Sequence, residues 1–314
     1  MSVVVRFSPE LGPWLREGFA AGKPEAELVS TMTAEGMNGA VARAIVKAFV
    51  TARQSGVASP KDALVLDETE LEYVDEPGRL SAGTRFIAEG RAVSVLFRVE
   101  RPCAAVLGGV LTAEECKHVI ELARPRLAPS TVVDPATGKD VVAHYRDSFG
   151  MFFRPAENPF IAGLDARIAA IMGLPAAHGE GLQVLHYPAG AGSAPHFDFL
   201  EPSNAANRAS IARSGQRVST LVSYLNPVEG GGETAFPHLG WAVSPVPGNA
   251  VYFEYANSIG QVDRRTLHGS NRVIAGEKWV LSKWMRARPF VTARDREAGV
   301  GAESGDSQLK WEPL

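Results

Sequence analysis

Apolar residues recur at helical spacing three times before residue 56. Ser8-Pro9-Glu10 reads as a helix start, with a capping serine, proline at the first helical position and an early acid, and Leu11, Trp14, Leu15 and Phe19 carry the apolar stripe to Gly22. Pro24 opens a second helix through Leu28, Val29 and Met32 that stops at Gly36, and Val41, Ile45, Ala48, Phe49 and Ala52 mark a third that ends before Gly56. Three short helices bury too little surface to stand alone, so the pattern predicts a small N-terminal module over 1–56 docked on the rest. Lys61 to Pro77 carries one basic and seven acidic residues, which predicts a solvated linker or an irregular domain edge within 57–92. The period then drops to two. Ala92 to Val99 and Cys103 to Leu111 read as strands, Thr112-Ala113-Glu114-Glu115 is a capping box that starts a helix, Phe149 to Phe153 is a short apolar run, and Asn158 to Met172 has helical spacing. From Leu182 short strands dominate to Met285, interrupted by Glu201 to Gln216, which shows no clear period and is long enough to act as a lid. A main domain is expected over 93–290, followed by a polar tail over 291–314.

Composition narrows the class. The chain has 314 residues, 45% hydrophobic and 21% charged, as in an ordinary folded protein. Its 31 glycines and 21 prolines favour turn-rich β architecture over a helical bundle. A net charge of −3 lacks the basic footprint of phosphate-backbone binding, so no nucleic-acid partner is expected. No apolar stretch approaches membrane-spanning length, the longest being Cys103 to Leu111 with two glycines in it. Arg6 and Glu10 stand where a secretory leader needs an apolar core, and Cys103 and Cys116 imply no disulfide framework. A reducing, cytoplasmic location is the expectation.

The candidate chemistry begins at His196-Phe197-Asp198. Residues two apart on a strand share a face, so an imidazole and a carboxylate would project together from one support. That pair alone is a common surface feature. His268, in Thr266-Leu267-His268-Gly269, supplies a third donor, and two histidines with one carboxylate make the facial set of non-haem iron(II) oxygenases, which leaves positions open for a bidentate co-substrate and dioxygen. Ten residues on, Lys278, Val280, Ser282 and Trp284 fall on one strand face, where a desolvated ammonium would pair with a dicarboxylate.

Taken in order, His196-Phe197-Asp198, Gly231-Gly232-Glu233-Thr234-Ala235-Phe236-Pro237, Leu267-His268-Gly269, Gly276-Glu277-Lys278-Trp279 and Lys283-Trp284 resemble the catalytic domain of prolyl 4-hydroxylases. The resemblance runs from about Cys103 to Pro289. It implies a mixed α/β, mainly β chain: a double-stranded β-helix (jelly-roll) core with flanking helices. It further implies Fe(II), 2-oxoglutarate as co-substrate, O2, and ascorbate as reductant. By position, His196, Asp198 and His268 would ligate iron and Lys278 would hold the far carboxylate of 2-oxoglutarate. Tyr224 would assist that lysine, Thr234 would add a polar contact, Tyr187 would lie near co-substrate and substrate, and Trp284 would wall the pocket.

On the substrate side, Arg146 and Ser148 resemble the family's Arg-Thr-Ser segment, while Glu180 and Arg217 fall where peptide-contacting residues occur. The implied substrate is a peptidyl proline, hydroxylated with release of succinate and CO2. Two departures bear on it. Ser193 stands where a tyrosine is common, and Arg286 stands eight after the lysine where a histidine is frequent. Arg146, Glu180 and Arg217 would serve a free amino acid or other small substrate as readily as a peptide. A zinc hydrolase leaves Lys278 and Tyr224 without a role, and a non-catalytic jelly-roll binding module would be expected to have lost a ligand. His186 shares a strand with Tyr187 but faces the other way, while His118, His144, His178 and His238 have no partner at ligand spacing.

Overall fold

The structure is a computed structural model and describes residues 2–67, 73–133, 140–142 and 148–292. Arg146, His144 and residues 293–314 of the expected tail lie outside the described residues. Among the described residues no helix is long and apolar enough to cross a membrane.

Two compact units result. The first gathers Met1–Gly78, Glu100–Pro102 and Tyr255–Arg264. Its helices, Leu11–Ala20, Glu25–Ala34 and Gly39–Ser55, follow the three stripes. The longest starts on Asn38, whose side chain accepts from the Ala40 and Val41 amides at 2.9 and 3.3 Å, and it ends on Gly56 at φ +67°, a conformation that suits glycine. Leu15, Leu28, Met32, Val41, Ile45, Val46 and Phe49 form the core with Val5. The unit extends past residue 56: Ala63–Asp67, inside the acid-rich stretch expected to be a linker, is a strand paired antiparallel with Ser2–Arg6. The pairing joins segments more than fifty residues apart, and a two-stranded ribbon of that kind leaves little local signature.

The second unit is the double-stranded β-helix. One antiparallel sheet of nine strands runs in the order Arg85–Ala88, Arg91–Val99, Ala104–Gly108, Ala250–Glu254, Arg217–Tyr224, Lys278–Arg286, Gln183–Tyr187, Phe149–Phe152 and Ala128–Pro129. A smaller sheet orders Ser193–His196, His268–Ser270, Thr234–Phe236 and Trp241–Val243. Phe253 of the large sheet meets His268 and Phe236 of the small one at ring distances of 4.6 and 5.1 Å, so the two inner faces close on each other. Helix Ala113–Ala123 starts with the expected capping box, Thr112 to Glu115. Helix Pro159–Ile171 starts on Asn158, and its Asp165 pairs with Lys283 on the face of Lys278–Arg286 turned away from the small sheet.

The segment Glu201 to Gln216, expected to be an irregular loop, contains the helix Ala205–Ser214. It lacks an apolar stripe, which hid it from periodicity. What shapes it is polar: Asn204 accepts from the Asn207 amide at 2.8 Å at its start, and Arg286 and Arg288 donate to carbonyls in its last turns.

Candidate metal centre and co-substrate pocket

His196 is the last residue of its strand and stands directly across from His268, the first residue of the neighbouring strand. Asp198 lies beyond the strand in a bend, so the shared-face argument correctly pairs it with His196 although the local backbone is not a strand. The three side chains each bring one donor atom within 4.8 Å of the others. His196 Nε2 is 3.6 Å from Asp198 Oδ1, and His268 Nε2 is 3.5 Å from Asp198 Oδ2. Each histidine uses its other nitrogen on a backbone carbonyl, His196 Nδ1 to Ala194 at 2.9 Å and His268 Nδ1 to Thr266 at 3.0 Å. Donation from Nδ1 fixes the tautomer whose Nε2 lone pair faces inward, the orientation a metal ligand needs.

Asp198 is held as a carboxylate. Burial works against its ionisation, yet His268, His196, Arg217 and a hydrogen bond from Thr220 outweigh burial and lower its pKa to about 2. The Thr220 hydroxyl donates to Asp198 Oδ2 at 2.7 Å. Two inward imidazoles and one charged carboxylate converging without an intervening side chain match the donor set of a divalent iron site.

The triad opens onto a solvent-accessible pocket bounded by both sheets. His196, His268, Ser270, Ser193 and Thr234 come from the small sheet, and Leu185, Tyr187, Thr220, Val222, Lys278, Val280, Ser282 and Trp284 from the large one. The register expected for Lys278, Val280, Ser282 and Trp284 therefore holds. Lys278 is 2% exposed, and Nζ donates to Ser270 Oγ at 2.9 Å. Burial drives its pKa down to about 7, against the opposing charge of Glu233. Tyr187 sits directly opposite Lys278 in the sheet, and the rings of Tyr187 and Tyr224 lie 5.4 and 5.8 Å from Nζ. Tyr224 donates its hydroxyl to Thr234 Oγ1 at 2.9 Å, and burial pushes the phenol well above its usual range, so it stays a neutral donor. A buried ammonium ringed by hydroxyls and aromatic faces suits the distal carboxylate of a small dianion.

A family model for the 2OG-Fe(II) oxygenase superfamily matches residues 182–286, which contain the triad and Lys278. Prolyl 4-hydroxylase 1 of Arabidopsis thaliana is 40% identical over 202 residues, covering 60% of this chain and 70% of that protein. Prolyl 4-hydroxylase 5 of the same plant is 35% identical over 209 residues, again covering 60% and 70%. The chain belongs to the prolyl 4-hydroxylase family. It is an enzyme of the iron(II)- and 2-oxoglutarate-dependent dioxygenase class. Among solved structures, the viral collagen prolyl hydroxylase of Paramecium bursaria Chlorella virus-1 in its 2OG complex is 26% identical, with a TM-score of 0.47, covering 59% of this chain and 96% of that one.

Within this prolyl 4-hydroxylase framework the substrate-side expectations fare differently. Ser193 does line the cavity. Ser148 is buried, donates to Ser130 Oγ at 3.0 Å and is not among the cavity-lining residues. Glu180 and Arg217, expected as separate peptide contacts, face each other: Arg217 grips the Glu180 carboxylate with Nε and Nη2 at 2.7 and 2.8 Å. Neither is among the residues that line the pocket. Arg286, which stands where a histidine is frequent, is 1% exposed and also binds Glu180, at 2.9 Å. His186 stacks on Trp279 and hydrogen-bonds Glu277 on the far side of the sheet, as its parity required.

Two contributors escaped the sequence reading. Thr220 orients the Asp198 carboxylate and Ser270 accepts from Lys278. Thr220 had a signal, since it alternates with Val222 and Tyr224 on an inward strand face. Ser270 had none, because its contact depends on how the two sheets close.

Proposed function

We propose that this enzyme hydroxylates a prolyl residue of an extended peptide, consuming 2-oxoglutarate and O2 and releasing succinate and CO2, with ascorbate as reductant. The observation that carries the reading is the His196/Asp198/His268 cluster and Lys278 lining one cavity in a prolyl 4-hydroxylase family member.

Bound Fe(II) with 2-oxoglutarate would supply the oxidising power that inserts one oxygen atom into an unactivated C–H bond. The chain supplies the rest. His196 and His268 present neutral Nε2 donors and Asp198 a charged oxygen. Lys278 holds the dicarboxylate by its distal end and so turns its α-keto end toward the triad. Leu185, Val222, Val280 and Trp284 give that space its apolar wall. The peptide preference is supported by the two plant relatives, each named a prolyl 4-hydroxylase, and an extended polyproline segment loses little entropy on entering a groove. Cys103 and Cys116 are both free, which supports a reducing, cytoplasmic setting.

The test is succinate formation with Fe(II), ascorbate and 2-oxoglutarate across a panel of proline-containing peptides and free amino acids. Peptide-dependent succinate with hydroxyproline in the peptide is the expected result. Turnover of free amino acids with none of any peptide would overturn the peptidyl reading and leave the dioxygenase chemistry intact.

A further inference from the structure

Behind the Trp284 wall lies a buried run of charges that the reaction does not itself use. Arg286, 1% exposed, donates from Nη1 to Glu180 Oε1 at 2.9 Å, and from Nε and Nη2 to the Gly215 carbonyl at 3.0 and 2.6 Å. Its Nη2 also reaches the Ser210 carbonyl at 2.9 Å, so the end of helix Ala205–Ser214 is tied to the same guanidinium. Glu180 in turn takes the bidentate grip of Arg217. Arg217 then makes two contacts toward the site. Nη1 donates to the Asp198 backbone carbonyl at 3.2 Å, and the guanidinium lies over the Trp284 ring at 4.3 Å.

Each link is directional. A guanidinium is a planar fork, so its orientation is set by the carboxylate it grips. Asp198 sits in a bend rather than a strand, and its backbone lacks the ladder that fixes His196. Thr220 holds the Asp198 carboxylate and Gln216 pairs with the Leu200 main chain, while the Arg217 contact is the one that holds the Asp198 backbone carbonyl to the large sheet. Glu180 is itself fixed at its main chain, where its amide donates to the Trp284 carbonyl at 3.0 Å and its carbonyl accepts from Lys283 at 2.5 Å.

We infer that Arg286 is a positioning residue for the metal centre: through Glu180 and Arg217 it fixes the Asp198 bend, and it couples helix Ala205–Ser214 to the site. The inference rests on Asp198 being a metal ligand and is independent of which substrate is hydroxylated. It assigns Glu180 and Arg217 to the support of the centre.

The test reads metal affinity, with Mn(II) as the probe, by calorimetry on the full-length protein. Arg286→Gln, Glu180→Gln and Arg217→Gln are each expected to weaken Mn(II) binding by about tenfold, the lower end of what partners behind metal ligands contribute. The double variant Arg286→Gln/Arg217→Gln is expected to bind no more weakly than Arg217→Gln alone, because both act through one path. Arg286→Lys should recover part of the affinity by restoring a donor to Glu180. Should Arg286→Gln fail to fold, the near-isosteric Glu180→Gln paired with Arg217→Gln gives the same cycle. Wild-type Mn(II) affinity in the folded single variants, or losses that multiply in the double, would overturn the coupling. Absence of Mn(II) binding by the wild type would instead remove the metal reading on which it stands.

Discussion

On the proposal that Lys278 holds 2-oxoglutarate, burial of that lysine makes the binding depend on pH in a definite direction. Burial among Tyr187, Tyr224 and Val280 opposes its charge and sets its pKa at about 7, where an exposed lysine titrates near 10.4. Without a bound dianion the lysine is therefore charged below about pH 7 and neutral above it. A bound dianion favours the charged form and raises the pKa, so at high pH binding must first protonate the lysine. The sign follows: affinity is strongest below the free-state pKa and falls as pH rises through it, by tenfold per unit, until the bound-state pKa is reached. From about pH 6.5 to about pH 8.5 the ratio of protonated fractions gives a loss of about 25-fold. The assay is calorimetric titration of 2-oxoglutarate into protein saturated with Mn(II), without oxygen. Lys278→Arg, whose guanidinium stays charged throughout, is the reference and should give a flat profile, if a weaker one. An unchanged dissociation constant in the wild type across that range would refute the reasoning. So would an equal slope in Lys278→Arg, which would place the titration elsewhere.

Other consequences follow from the same geometry. His196→Ala or His268→Ala leaves two protein donors and should abolish turnover, measured as succinate release with iron the only metal present. Thr220→Val removes the 2.7 Å hydrogen bond to Asp198 and should weaken Mn(II) binding about 10- to 100-fold in a calorimetric titration. Zn(II) should compete for the site and inhibit, since it lies above iron(II) in divalent affinity yet undergoes no redox change; excess Fe(II) should relieve the inhibition in a succinate assay. Gly231 has φ +71°, and a Cβ there would meet the Arg272 carbonyl, so Gly231→Ala should lose about 1–3 kcal/mol by denaturant unfolding.

The chemistry was more legible in the chain than the scaffold around it. His196, Asp198, His268 and Lys278 carry spacings that only a few chemistries require, and strand parity placed Lys278, Val280, Ser282 and Trp284 on one wall. Helices with side-chain caps, such as those starting at Thr112 and Asn158, were readable because the cap and the stripe agree. Strand Ala63–Asp67 was hidden because its partner, Ser2–Arg6, is distant in sequence and its neighbours are acidic. Helix Ala205–Ser214 was hidden because arginine side chains from Arg286 and Arg288 hold its end where an apolar stripe would usually do so. Glu180 and Arg217 read as positions for substrate contacts, and Arg286 as a departure on the substrate side. Their mutual neutralisation arises where two strand ends meet the segment that leads into Gln183–Tyr187, which no local pattern records.

The central claim is that the cavity between the two sheets couples 2-oxoglutarate consumption to hydroxylation of a prolyl peptide. Mass spectrometry of a proline-rich peptide turned over under 18O2 tests it most directly. The account predicts one 18O atom in the new prolyl hydroxyl and one in succinate, in equal amounts, with both products lost in His196→Ala. A hydroxyl carrying oxygen from water, or one formed without 2-oxoglutarate, would contradict it.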